Sequence, residues 1–323
     1  MAVETPTFSN NSADTWFRDI MFDCVLCPRA CHVNRLAGQT GYCGQTAELM
    51  AARASLHYWE EPCISGTSGS GTVFFSGCNL RCVFCQNHNI ALGKAGRVIA
   101  PEHLAEIFLQ LQEQGANNIN LVTPTHFLPQ IVIALEQAKQ QGLHLPIVYN
   151  TGSYESPEAL RHLEGLVDIY LPDLKYFSPE LSTAYSHAPD YFETACAAIS
   201  EMYRQVGDSV IDEDTGLMQH GMIVRHLLLP GQTKDSKKIL RYLHETYGDH
   251  IYISIMNQYT PLPQCREYPE LSRRVTEAEY DAVVDYAIEL GIENGFIQEG
   301  DVAEESFIPE FDGEGIVRKD VDR

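Results

Sequence analysis

Three cysteines, Cys78, Cys82 and Cys85, stand in the stretch GCNLRCVFCQN over residues 77–87, spaced C-x3-C-x2-C. Thiolates are soft metal ligands, and three this close on one loop can reach three corners of an iron–sulfur cube. A [4Fe–4S] cluster has four irons, so three ligands leave one iron open to a substrate or cofactor. A second group lies upstream: Cys24, Cys27, Cys31 and Cys43, spaced C-x2-C-x3-C-x11-C. With Gly38, Gly41 and Gly44 allowing tight turns between them, four thiolates can enclose one metal ion or a small cluster. Zinc in a closed tetrahedral site and a second iron–sulfur cluster serving as an electron relay are both open readings, and His32 could replace one cysteine. The remaining Cys63, Cys196 and Cys265 read as small buried hydrophobes.

Elements must hold these loops in place. The apolar run 72–76 feeds directly into residues 77–87 and reads as a buried strand. The cysteines therefore follow a strand's C-terminal end, where α/β enzymes build their sites. Further strand-like runs cover residues 118–123, 146–150, 167–171, 222–229 and 251–256. Helical patterns cover 101–114, 128–141, 157–164, 183–206, 235–247 and 276–290. Alternating β and α segments predict an α/β fold with a parallel sheet and right-handed crossovers. Six units are too few for a closed eight-stranded barrel. The glycine-rich run 66–71 precedes a strand and lacks a following Lys-Ser or Lys-Thr, so it reads as a turn and not as a phosphate loop.

GCNLRCVFCQN resembles the cluster loop of the radical S-adenosylmethionine (SAM) enzymes, and is most similar to the branch related to the pyruvate formate-lyase activating enzyme. Phe84 fits the aromatic residue usual there before the third cysteine. The resemblance implies a partial (β/α)6 TIM-like barrel, open at one side, with the Cys-rich segment as a small N-terminal metal-binding appendage. It implies that Cys78, Cys82 and Cys85 hold a [4Fe–4S] cluster whose open iron chelates the amino and carboxylate groups of SAM. One electron, from a donor such as flavodoxin or ferredoxin, then yields a 5′-deoxyadenosyl radical that abstracts hydrogen. Where the family often carries Gly-Gly-Glu after the second strand, this chain has Thr123-Pro-Thr-His126. That departure leaves Thr123, Thr125 or the local backbone to meet the SAM amine. Asn150 and Thr151 stand where the activating enzyme has Asp-Thr-Asn-Gly near the methionyl end. Asp173 and Lys175 match the family's Asp-Leu-Lys, which helps place the SAM carboxylate. Arg225 matches a residue able to reach the carboxylate or ribose, and His226 points to the opposite face as a packed histidine.

Composition narrows the functional classes. The net charge of −22, from 44 acids against 22 bases, argues against a nucleic-acid scaffold. No run reaches membrane-span length and no secretion signal is evident, so a cytoplasmic location is expected. The expected organisation is a loose arm over 1–20, the Cys-rich segment over 21–65, the barrel over 66–295 and an acidic extension over 296–323. The hydrogen donor is either a glycine of a partner glycyl-radical enzyme or a small molecule or peptide. A non-catalytic electron carrier is the rival from another class, though ferredoxin-like carriers need far less scaffold.

Overall fold

The computed structural model describes residues 12–298 and 309–317. Its strands are β1 (Met50–His57), β2 (Ser70–Phe75), β3 (Arg97–Val98), β4 (Ile119–Val122), β5 (Ile147–Thr151), β6 (Ile169–Pro172), β7 (Val210–Ile211), β8 (Met218–Leu227), β9 (Tyr252–Met256) and β10 (Gly295–Ile297). Across the sheet the order is β10-β9-β8-β6-β5-β4-β2-β1-β3, with β7 beside β8. Every neighbour pair from β2 to β10 along this path is parallel, while β1 runs antiparallel to β2 and β3. The six expected strands underlie β2, β4, β5, β6, β8 and β9. They are continuous apolar runs because parallel strands are covered on both faces, and every residue of β2, β4 and β6 is buried. The path ends at β3 and β10.

Helices supply the crossovers: Pro101–Glu113, Leu128–Gln140, Tyr191–Val206, Thr233–Tyr247 and Glu277–Leu290. Two expectations need correction. The single helix expected over 183–206 is two, Pro179–Ser186 and Tyr191–Val206. His187 sits at φ 51°, and Pro189 follows two residues on; a proline disfavours helical backbone in the residue before it. The helix expected over 157–164 shrinks to Pro157–Leu160 with a 3₁₀ turn, Arg161–Leu163.

The flanking segments also depart from expectation. Where a loose arm over 1–20 is expected, Ser12–Phe22 is helical, because Phe17, Ile20 and Met21 share a face buried in the core; residues 1–11 lie outside the described residues. β1 lies inside the expected Cys-rich segment yet pairs with β2 from Ala51↔Phe75 to His57↔Ser70. At the other end, Phe296 belongs to β10 and stacks on Tyr252. Residues 309–317 lie along β1, with Ala54 donating to the Glu314 carbonyl and Gly313 donating to that of Ala52. Phe311 packs edge-on against Phe74 at 5.4 Å. Phe307 lies outside the described residues. No helix of the described residues is long and apolar enough to cross a membrane.

Candidate active site

Beyond β2 the chain turns through Gly77 at φ 92°, where a Cβ would stand 2.5 Å from Gln45 Cγ and 2.9 Å from the Cys43 carbonyl. The Cys-rich segment thus presses directly on the loop carrying Cys78, Cys82 and Cys85. Arg29 holds that loop through Nε to the Asn79 carbonyl (2.8 Å) and Nη2 to the Ser186 carbonyl (3.0 Å). Its guanidinium lies 3.9 Å from the centre of the Tyr42 ring, and the Tyr42 hydroxyl donates to the Leu80 carbonyl at 3.3 Å.

The sulfurs already receive donors. Leu80 N–H donates to Cys78 Sγ (3.4 Å) and Ser186 Oγ to Cys82 Sγ (2.9 Å). Burial, and then repulsion from Cys82, lifts the Cys78 thiol above its ordinary pKa; burial and the other two cysteines do the same to Cys85. Crowded thiols in a dry pocket, as Cys78 and Cys85 are, resist ionisation unless a cation compensates them. That donor set suits a metal cluster. Among the described residues no three His, Cys, Asp or Glu side chains are placed to hold one metal ion. A cubane's thiolates stand farther apart than ligands on a single tetrahedral ion, where metal–sulfur bonds are about 2.3 Å.

A cavity of about 260 Å³ opens above these cysteines, at the C-terminal ends of β2, β4, β5, β6 and β8, and all three line it. So do Thr123, Thr125, Asn150, Thr151, Asp173, Lys175 and Arg225. Thr123 follows β4 in the left-handed region at φ 56°. Its N–H donates to the Asn150 carbonyl of β5 (2.9 Å). Asp173 and Arg225 form a parallel bridge that prolongs the β6–β8 pairing, and Lys175 Nζ donates to Asp173. Burial works against the Lys175 charge, but Asp173 and Cys82 hold its pKa above the ordinary value. His226 is buried on the other side, bonded to the Leu174 carbonyl and Ser236 Oγ, both at 2.8 Å.

Arg225 differs from what the sequence suggests. Its Nε and Nη2 are already given to Glu61 at 3.0 and 2.6 Å, and Nη2 also meets Glu60. Burial disfavours the Glu61 carboxylate, yet Arg225 keeps its pKa below the ordinary value. Glu60 lines the cavity and accepts from Asn120 Nδ2 at 3.0 Å. Sequence reasoning missed both acids, since Glu60 and Glu61 lie far from every motif and reach β8 only through the fold.

Glu155 was missed for a similar reason. It is 0% exposed, and its Oε1 accepts from Thr125 Oγ1 and Thr151 Oγ1, each at 2.5 Å, and from the Tyr149 hydroxyl at 3.4 Å. Oε2 has no partner among the described residues. Burial lifts the carboxyl to about 7, against the pull of the three hydroxyls. The only signal in the sequence is an acid four residues past Thr151, at the end of a polar strand terminus.

Cys24, Cys27, Cys31 and Cys43 come together around a second, much smaller cavity of about 10 Å³, with Arg29, Arg35 and His126. Arg35 is 1% exposed, and its Nε and Nη2 both donate to the Thr46 carbonyl (3.2 and 2.6 Å). His126 Nε2 bonds the Ser76 carbonyl at 2.6 Å while Nδ1 is buried without a partner among the described residues. Burial pulls its pKa down to about 3, so the ring is neutral. Burial pushes the Cys27 thiol up to about 12. His32, the expected stand-in ligand, is exposed and pairs with Asp23 at 2.9 Å. The ring near the cysteines is that of His126, in the 3₁₀ turn Thr125–Phe127 after β4.

The sequence model of the Radical SAM superfamily matches residues 72–243, the span from β2 through the helix after β8. The chain belongs to that superfamily, whose cofactors are a [4Fe–4S] cluster and SAM. It is 28% identical over 280 residues to an uncharacterized protein of Methanocaldococcus jannaschii, covering 84% of this chain and 75% of that protein. It is 29% identical over 121 residues to a pyruvate formate-lyase-activating enzyme of Clostridium pasteurianum, covering 35% of this chain and 48% of that enzyme. Among solved structures, Streptococcus suis SuiB bound to the precursor peptide SuiA is similar at 13% identity and a TM-score of 0.46, over 69% of this chain and 46% of that one. A radical SAM methyltransferase from Sphaerobacter thermophilus is similar at 16% identity and 0.46, over 71% and 66%. This chain thus spans less than half of the activating enzyme and of SuiB.

Proposed function

We propose that this protein is a radical SAM enzyme in which Cys78, Cys82 and Cys85 hold the [4Fe–4S] cluster and the cavity above them receives SAM. The observation that carries the reading is that these cysteines and seven polar strand-end residues line one cavity. When bound, cluster and SAM together supply one-electron cleavage to a 5′-deoxyadenosyl radical that abstracts hydrogen. The chain's own work is placement and exclusion of water. Asn150 offers an amide to polar groups of SAM, and Lys175 with Asp173 presents a fixed cation and acceptor. Phe74, Val122, Leu227 and Met256 form the apolar wall. Arg225, bonded to Glu60 and Glu61 through Nε and Nη2, acts as a brace between β8 and the segment after β1, with fewer donors left for SAM. The strands curve into a partial barrel around this cavity.

The finer reading is hydrogen abstraction from a glycine of a partner enzyme, with an electron donor such as flavodoxin or ferredoxin. Its support is the cluster-loop resemblance and the 121-residue likeness to the activating enzyme. All ten cysteines are unpaired, which suits a reducing, cytoplasmic setting. Cys24, Cys27, Cys31 and Cys43 are proposed as a second metal centre; because no three of the described His, Cys, Asp or Glu side chains are placed on a single ion, an iron–sulfur cluster suits them better than zinc. A buried Arg35 with no ion pair among the described residues suits an anionic metal–thiolate group there.

Anaerobic EPR of the reduced protein with and without SAM, beside a variant with Cys78, Cys82 and Cys85 replaced by alanine, tests the reading. A [4Fe–4S]⁺ signal that shifts with SAM and is lost in the variant is expected. A signal indifferent to SAM, with no 5′-deoxyadenosine formed, would leave the electron-carrier reading instead. Iron, sulfide and zinc retained by the variant identify the second centre.

A further inference from the structure

Resting on the radical SAM reading above, we propose that Glu155 sets the polarity of the SAM site: it takes the hydroxyl protons of Thr125 and Thr151, so both oxygens face the cavity as acceptors for the SAM α-amino group. A hydroxyl has one proton to donate and two lone pairs to offer. The protons of Thr125 and Thr151 both go to Glu155 Oε1 at 2.5 Å. Thr151 Oγ1 uses one lone pair on the Ser153 N–H (3.2 Å) and keeps the other. Both threonines line the cavity, and Glu155, fully buried, does not. Glu155 is therefore a positioning residue that acts through them.

Three features make the arrangement selective. The two hydroxyl oxygens share one partner oxygen, so they are close enough for a single amino group to bridge. No cation pairs with Glu155 among the described residues, so its acceptor character is passed through the hydroxyls and is not cancelled behind them. A carboxylate, which only accepts, finds no donor in this pair. The threonines therefore discriminate between the two ends of an amino-acid moiety and direct its amino group to the β4–β5 side. Thr125 stands where the family's Gly-Gly-Glu is missing from this chain, and Thr151 ends the neighbouring strand β5.

The test compares equilibrium binding of SAM and of a SAM analogue whose α-amino group is replaced by hydrogen, on the anaerobic, cluster-loaded protein. Thr151→Val and Thr125→Val keep shape and remove the acceptor, and Glu155→Met frees the hydroxyl protons. Each is expected to weaken SAM roughly tenfold and to leave the desamino analogue within about twofold. Glu155→Gln, whose amide oxygen can still accept both protons, is expected to retain SAM affinity. If Glu155→Met does not fold, the two valine variants carry the test. Equal loss for both ligands, or no loss for either, overturns the proposal. Failure of the wild-type protein to bind SAM at all would instead overturn the radical SAM reading.

Discussion

The Glu155 carboxyl, at about 7 in the folded chain against an ordinary 4.5, makes stability depend on pH. Below about pH 4.5 it is protonated in the folded and unfolded chains alike. As pH rises the unfolded chain releases its proton first, so stability falls until about pH 7, where the folded chain follows. Glu155→Gln removes this dependence. Relative to wild type it should gain roughly 3 kcal/mol between pH 4 and pH 8, read as the difference between urea melts at the two values. A change that is the same at both would refute the assignment. At this scale the sequence is partly legible. Cys78, Cys82 and Cys85 announce themselves by spacing, and Thr125, Thr151, Asp173 and Lys175 by their strand-end positions. Glu155, Glu60 and His126 do not, because each works on a partner that the fold brings to it and belongs to no motif.

The element that most constrains the site is the turn from β2 into the loop carrying Cys78, Cys82 and Cys85. Gly77→Ala would force a left-handed alanine and drive its Cβ against Gln45 and the Cys43 carbonyl. Destabilisation of about 2–3 kcal/mol is expected, with loss of bound iron on anaerobic purification. Gly115, at φ 86° with nothing within 4 Å, is the control. Gly115→Ala bears the backbone penalty alone, about 1–2 kcal/mol, and should keep its iron. The Arg225 brace makes a second prediction. Arg225→Met leaves Glu60 and Glu61 facing each other without their cation, which should cost about 3–5 kcal/mol in chemical denaturation. An unchanged midpoint would show that the ion triad contributes nothing net. The parallel strands were readable as apolar runs because both their faces are covered. β1 was not, since MAARASLH has no β-branched residue and its pairing is set by β2. The break at His187 was hidden inside an otherwise continuous helical pattern.

For the molecule as a whole, the parallel sheet is covered by chain from both directions. The Cys-rich segment clamps the cluster loop through Arg29 and Tyr42. Residues 309–317 cover β1, with Pro309 on the cavity wall, Arg53 bonded to the Glu310 carbonyl at 2.8 Å, and His103 Nε2 bonded to the Ile316 carbonyl at 2.8 Å. A variant ending at residue 308 should retain the sheet but show faster amide exchange across β1 and weaker SAM binding; unchanged exchange there would show the segment to be dispensable. This strap also bears on how the protein is made. Every cysteine, and every strand of the sheet, leaves the ribosome before residue 309 does. A nascent chain can therefore present its thiols to iron and sulfide donors while the cavity is still uncovered on the β1 side, and lay the strap only afterwards.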